Sequence, residues 1–432
     1  MTTLSWVTVA VFVAVYVLIA TEWVSRVTAA LTGAVIVLVI GATDAEHAFF
    51  SPEAGVDWNV IFLLIGMMLI VSVLKRTGLF EYLAIWAAKR AGGRPFRVMV
   101  ILVVVTAVVS AALDNVTTVL LVAPVTFLVC ERLGVPVVPF LIAEVMASNI
   151  GGTATLVGDP PNIIIASRSG LTFNQFLAVL GPFIVGVLIV FLGLCRWLFR
   201  DAFRYDPQRA AHVAALRERD AIRDRRLLVI SLAVLAVVLG TFLAHGVLDY
   251  EPSVVAICGG LLLLGLSRVD AAEVASDVEW PTLVFFAGLF VMVGALVNTG
   301  VVDTVAHAAI DASGGNLWLG SMVLLWGSAA LSAIVDNIPY VATMSPIVDQ
   351  MVQASPDAGQ AQVLWWSLAI GADLGGNATA IGASANVVVL GIAARAGHPI
   401  SFWQFTRYGL LVAAITVALA VPYLYLRFFA FA

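Results

Sequence analysis

The chain is short of charge. Of its 432 residues 11% are Asp, Glu, Lys or Arg, against 62% hydrophobic, which leaves too little polar surface to clothe a soluble globule of this size. Cysteine is scarce too: Cys130, Cys195 and Cys258 show no C-x-x-C spacing, so neither a disulfide framework nor a thiolate metal cluster is suggested. H-E-x-x-H is missing, and the histidines, His47, His212, His245, His307 and His398, fall mostly in loops or near the ends of apolar runs and receive no role. No Gly-Lys-Ser or Gly-Lys-Thr follows a glycine-rich run, which removes the nucleotide-binding loop. Without nucleophile, metal cluster or nucleotide loop, an enzyme is not expected.

What is present is apolar length. Runs able to span a bilayer begin near residues 4, 25, 58, 177, 227, 252, 281 and 408, and the regions 138–168 and 364–394 are apolar but interrupted. The expectation is an all-α polytopic integral protein of a lipid bilayer, multi-pass, in a prokaryotic plasma membrane. No Lys or Arg precedes Arg26, so the first run lacks the basic start of a signal peptide and reads as a retained helix.

The sequence is also a duplication. Asp114-Asn115 recurs 222 residues on as Asp336-Asn337, and the same offset pairs Trp58 with Trp280, Thr77-Gly78 with Thr299-Gly300 and Pro124 with Pro346. At an offset of 224, Gly151-Gly152-Thr153-Ala154-Thr155 meets Gly375-Gly376-Asn377-Ala378-Thr379, and Gly158 and Asn162 meet Gly382 and Asn386. Matching leucines would mean only two greasy segments. Matching polar steps and glycine-rich breaks inside apolar sequence mark special backbone positions, a pattern of secondary transporters.

The frankly polar stretch 200–226 separates a first repeat, 1–199, from a second, 227–432. Its alternating Arg and acidic residues read as a solvated, partly helical connector with no role in nucleic-acid binding. If each half crosses five times and holds one hairpin that returns to its own side, a cytoplasmic linker puts 20 of the 22 basic residues inside, leaving Arg168 and Arg427 outside, as the positive-inside rule demands. An odd number of crossings makes the repeats inverted.

Residues 98–113 and 116–130 are apolar and leave no room for a water-exposed loop around Asp114-Asn115. Either a long helix is kinked there, or a re-entrant hairpin turns mid-membrane, with its twin at Asp336-Asn337-Ile338-Pro339. The proline disfavours continued helix through Asn337 and favours the hairpin. The runs 149–162 and 373–386 break a helix inside the membrane, since Gly151, Gly152, Gly158, Pro160 and Pro161 cannot make an uninterrupted one. Such backbone is tolerated only where protein or a water-filled cavity satisfies it. The expected elements of each repeat are thus a re-entrant helical hairpin and a discontinuous transmembrane helix.

Convergence of tips and breaks would gather Asp114, Asn115, Asp159 and Asn162 with Asp336, Asn337, Asp373, Asn377 and Asn386, and hydroxyls from Thr117, Thr118, Thr153, Thr155, Thr379 and Ser384. No Lys or Arg lies in these segments. An acid at the bilayer centre costs at least about 2.5–3.5 kcal/mol, so several of them argue for ion or proton traffic. A single one could merely cap a half-helix. Without a base, a cation, or a neutral polyhydroxy solute exchanged for protons, suits the site better than a polyanion. Glu144, one turn before the first break, is a weaker candidate. No fixed metal and no cofactor are expected; the coupling ions would be protons or Na+, the latter near Asp114/Asn115 and Asp336/Asn337.

The strings LDNVTTVLLVAPVT, NIGGTATLVGDPPNIII, VDNIPYVATMSPIV and GGNATAIGASANVVV resemble the ion transporter superfamily, and within it the branch of the melanosomal P protein and the ArsB-type arsenite permeases. The likeness extends over nearly the whole chain apart from the linker. It implies two inverted repeats, each with a hairpin and a discontinuous helix, often a homodimer, and elevator-like movement of the transport part. The dicarboxylate branch has Ser-Asn-Thr at the hairpin tips, binding sodium and carboxylate, where this chain has Asp-Asn, a departure that speaks against carboxylate transport. Arsenite permeases carry an acidic or amide pair at the tips but lack the GDPPN string. The leading expectation is a secondary active transporter for proton-coupled efflux of arsenite or antimonite, small inorganic solutes; pumping by ATP would require a separate ATPase subunit. Alternatives are a sodium/proton antiporter, a dicarboxylate or citrate carrier, and an anion channel like the P protein.

The topology is testable by cysteine labelling of intact cells. A cysteine introduced at position 214 should be protected and one at the C-terminus labelled; labelling of the linker from outside would overturn the inverted arrangement.

Overall fold

The structure is a computed structural model that describes residues 1–432 other than 22, 52–53, 210–216, 245–249 and 431–432. His212, His245 and the middle of the linker lie outside the described residues. All regular structure among the described residues is helical, and eight helices are long and apolar enough to cross a membrane.

The duplication appears as a repeated order of elements. The first set runs Thr3–Thr21, Arg26–Val39, Ala45–Phe50, Trp58–Lys75, Leu79–Arg90, Pro95–Ala112, Asn115–Leu133, Val138–Gly152, Pro160–Ser169 and Phe173–Leu198. The second runs Arg225–Leu243, Pro252–Ser267, Ala271–Ser276, Trp280–Asn298, Val301–Ser313, Leu317–Ser332, Asn337–Gln353, Val363–Gly375, Ser384–Arg395 and Phe402–Tyr425, with one added turn at Ala358–Ala361. The closing helices of the two sets lie antiparallel. Near the start of one, Phe183 stacks at 5.0 Å on Tyr423 near the end of the other, while Phe199, just past the end of the first, meets Tyr408 near the start of the second at 5.0 Å. The repeats are therefore inverted.

Both Asp-Asn steps are hairpin tips rather than kinks. Helix Pro95–Ala112 stops, Leu113 and Asp114 are extended, and a new helix begins at Asn115. Its two mouths lie on the side of the linker: Phe96 packs on Phe203 at 5.1 Å and beneath the Arg196 guanidinium at 4.7 Å, and Arg209 lies so tightly against Gly134 that a Cβ there would sit 1.6 Å from its guanidinium. The second hairpin opens on the other side. Leu317 and Gly320 at its start and Ala354 and Ser355 at its end line one pocket of about 80 Å³, and Trp318 packs edge-on against Tyr425 at 5.4 Å. On the linker side, Lys89 and Arg223 pair with Glu218 at 2.5 Å and Glu81 at 3.2 Å, which fastens the amphipathic helix Leu79–Arg90 to the connector. The Lys89 ammonium holds the half-buried Glu218 carboxyl below its usual range.

The discontinuous helices break in the same way in both halves. Asp159 and Ala383 are extended, at φ −140°, ψ 133° and φ −146°, ψ 144°. Pro160 and Pro161 start the next helix where their missing N–H groups would have found no intrahelical partner. Gly151 and Gly375 lie against the hairpin backbone: a Cβ on Gly151 would meet Ala107 O at 2.2 Å, and one on Gly375 would meet Ala329 Cα at 2.5 Å. Farther out the halves interlock. Gly66 of the first set touches Ala256 of the second (2.3 Å from an added Cβ), and Gly288 of the second touches Ala30 of the first (3.1 Å). Helices Trp58–Lys75 and Trp280–Asn298 are consequently the inner walls, whereas Thr3–Thr21, Phe173–Leu198 and Arg225–Leu243 turn apolar side chains such as Val185, Ile189 and Val237 outward, as lipid-facing helices do.

Gly151→Ala should destabilise the protein by about 1–3 kcal/mol, because the facing atoms are backbone and cannot rotate aside. Gly186→Ala, where nothing lies within 4 Å, should be neutral or slightly stabilising. Melting of the purified variants in detergent checks the contrast.

Candidate functional site

Asp114 and Asp336 begin the second arms of the hairpins. Each caps its helix: Asp114 Oδ1 accepts the Thr117 N–H at 2.8 Å, and Asp336 Oδ1 accepts the Ile338 N–H at 3.1 Å. The amides that follow them are aimed inward. Asn115 Nδ2 donates to Asp159 Oδ2 at 3.0 Å, and Asn337 Nδ2 donates to the same oxygen at 3.3 Å. Both tips thus meet on one carboxylate at the first helix break.

Around that carboxylate lies a polar knot drawn from both repeats, in which Asn149, Asp159, Asn162, Asp373, Asn377 and Asn386 are 0% exposed. Asn149 Oδ1 accepts from Asn115 at 3.2 Å, while Asn149 Nδ2 donates to Asn377 Oδ1 and Asn386 Oδ1, each at 3.0 Å. Asn162 Nδ2 reaches the Thr155 carbonyl at 3.1 Å, and Asn386 Nδ2 reaches the Gly376 and Thr379 carbonyls at 2.9 Å. These amides supply the hydrogens that the interrupted helices lack. Thr155 and Thr379 do the matching service for the hairpins, donating at 2.5 Å to Ala111 O and Ala333 O at the ends of the first arms. Thr153 donates to Asn149 O at 2.9 Å.

The structure sorts the residues expected from sequence. Asn115, Asp159, Asn162, Asn337, Asp373, Asn377, Asn386, Thr153, Thr155 and Thr379 come together at the breaks. Asp114 and Thr117 form a helix cap at the edge of this knot, and Thr118 is buried with its hydroxyl unpaired. Glu144 stands apart, its carboxyl facing the Thr126 hydroxyl at 2.6 Å. Asp336 and Ser384 lie on a cavity of about 380 Å³, hydrogen-bonded to each other at 2.5 Å.

One expectation needs correction. The site was to be free of base because none lies in the tip and break segments, yet the fold brings Arg26, the first residue of the short helix Arg26–Val39, into this cavity. Its guanidinium donates to Ser384 Oγ at 2.6 Å and lies 3.5 Å from Asp336 Oδ2, and 5.7 Å from the Phe285 ring. Asn149 was likewise overlooked as a site residue, although the 224 offset pairs it with Asp373. Among the described residues no group of three or more His, Cys, Asp or Glu is placed to hold a metal ion.

Inverted repeats, re-entrant tips and a buried knot at their meeting point define a membrane transport protein. The profile of the citrate transporter family matches residues 16–371, and the chain belongs to that family, within the ion transporter superfamily. It is 56% identical over 428 residues to an uncharacterized transporter of Mycobacterium tuberculosis, covering 99% of this chain and 100% of that protein. The similarity to the 46 kDa membrane protein of Mycobacterium leprae is 54% over 425 residues, covering 98% and 99%. The P protein of Mus musculus is 32% identical, covering 96% of this chain and 59% of the P protein. Among solved structures, the YdaH transporter of Alcanivorax borkumensis shares the fold with a TM-score of 0.56 at 17% identity, covering 90% of this chain and 87% of its own.

Asn149→Ala should remove the hydrogens that Asn377 and Asn386 accept, at about 1–3 kcal/mol for each buried acceptor left unpaired. A fall in detergent melting temperature is expected, against little change for the exposed Gln353→Ala.

Proposed function

We propose that this protein is a proton-coupled secondary active transporter that exports arsenite or antimonite. The observation behind this reading is the fully buried Asp159 carboxylate, which receives an amide from each hairpin tip. A group shared by both repeats feels any movement of either tip, so its protonation and the accessibility of the site are linked. Arsenite at neutral pH is an uncharged trihydroxide, and the cavity at Asp336 and Ser384 offers such a solute a carboxyl and the hydroxyls of Ser25 and Ser384 among mainly apolar side chains.

A second reading is favoured by one observation. The Arg26 guanidinium beside Ser384 offers fixed donors for a carboxylate, and the family takes its name from citrate. Proteoliposomes under an imposed pH gradient separate the two when assayed with arsenite and with citrate or succinate. Arsenite flux that follows the gradient supports the first reading; its absence, with saturable carboxylate uptake, replaces it. In the same assay Arg26→Gln should leave arsenite flux largely intact and abolish any carboxylate uptake. Loss of arsenite flux in that variant would count against a neutral solute. Conductance linear in driving force, with no coupling to the gradient, would point to a channel.

A further inference from the structure

The buried knot is duplicated in sequence but not in its hydrogens. At the offset of 224, Asn149 corresponds to Asp373, Thr153 to Asn377 and Asn162 to Asn386. On one side of the pseudo-symmetry, Asn149 Nδ2 donates at 3.0 Å to Asn386 Oδ1 and to Asn377 Oδ1. The corresponding group on the other side is the Asp373 carboxyl, and the side chains within its hydrogen-bonding reach are the corresponding ones, Asn162 and Thr153.

Here the hydrogens run out. The Asn162 amide is oriented by its Nδ2, which points at the carbonyls of Thr155 (3.1 Å), Gly152 (3.5 Å) and Thr153 (3.5 Å). A flip would set its oxygen against three carbonyl oxygens. Asn162 Oδ1 is consequently buried without a donor, and so are both oxygens of Asp373. The Thr153 hydroxyl hydrogen is already given to Asn149 O at 2.9 Å. Among the described residues no Lys, Arg or His is buried, so an ionised Asp373 would stand without a buried counter-charge, among lone pairs, at a position where an isolated charge is very costly. One added proton closes this contact: a carboxylic acid O–H at Asp373 donates to Asn162 Oδ1 and restores the pattern that Asn149 makes unaided, while the spare amide hydrogens of the knot, on Asn377 Nδ2, belong to the Asn149 side of the pseudo-symmetry.

The other titratable groups on the packed elements have their own places. Asp159 holds the two tip amides and is close enough to feel the charge of Asp373. Tyr340 bonds Ser328, Glu144 bonds Thr126, and Asp349 bonds Gln353. Arg168 lies in the last turn of its helix. Arg407 is exposed, and Tyr408, Tyr423 and Tyr425 pack on Phe199, Phe183 and Trp318.

We infer that Asp373 is a second proton-binding site of the transport cycle beside Asp159, holding its proton on Asn162 in this conformation and giving it up when the site opens to the other side. The inference rests on the reading of the chain as a coupled transporter, but its first test does not need a known solute. The variant is Asp373→Asn, which places on this side the same amide that Asn149 places on the other. It should fold, with a detergent melting temperature unchanged or raised. Its infrared difference spectrum against the wild type at neutral pH should lack one carbonyl band of a buried protonated carboxyl. In proteoliposomes assayed with arsenite, pH-gradient-driven flux should be lost. An unchanged carboxylic-acid band overturns the proposal, as does a variant that cannot fold or one whose flux still follows the pH gradient. If wild-type protein moves no arsenite while the band is lost, the proton site stands and the choice of solute fails.

Discussion

A backbone that stops being helical inside a bilayer must find hydrogen-bond partners within the protein, and this requirement governs the centre of the molecule. Two hairpin tips and two helix breaks present donors and acceptors at the buried centre of the protein. The side chains that close them come in matched sets: Thr155 and Thr379 on the carbonyls of Ala111 and Ala333, Asn162 and Asn386 on the carbonyls of the breaks, Asp114 and Asp336 on the first amides of the second hairpin arms. The glycines at 151 and 375 allow the approach that makes these bonds reachable. These matched bonds hold each hairpin tip against its break.

Residues that obey the duplication build the frame, and those that violate it differ in the chemistry they offer. Asp159 corresponds to Ala383, Thr153 to Asn377, Asn149 to Asp373, and Arg26 occupies the first position of a helix whose counterpart begins with Pro252. In each pair the backbone conformation or the element is kept while the side chain changes its charge or its hydrogen count. An inverted repeat with equal halves would have no reason to bind a charge on one side of its axis in preference to the other. Asp159, which joins both tips, breaks that equality at its centre.

Much of this was legible beforehand, because the duplicated features are local. An Asp-Asn step inside an apolar run, two prolines after a glycine-rich run, and their recurrence at 222 and 224 residues each constrain the backbone within a few positions. The hairpins, the breaks and the meeting of Asn115 with Asn337 follow from them. Arg26 was not legible in the same way: it sits just past the first apolar run, reads as an ordinary flanking cation, and meets Asp336 only because 310 residues of chain fold back upon it. The capping bond of Asp114 to Thr117 depends on where the helix restarts, which the sequence alone leaves open. Asn149 stands opposite Asp373 in the matched runs 149–162 and 373–386, but an amide there reads as part of the break until its bonds to Asn377 and Asn386 are seen.

The interlocking of the inner helices has a consequence for synthesis. Helix Trp58–Lys75 finds its neighbour in Pro252–Ser267, and Arg26–Val39 finds its own in Trp280–Asn298. A ribosome delivers the first members of these pairs long before the second, so the leading half must wait in the lipid with its close-packing glycines uncovered. Contacts so distant in the chain are slow to form, and the early half is in that interval a client for any insertion chaperone that shields small-residue faces. Two halves made as separate polypeptides would have to meet before either could finish its own fold.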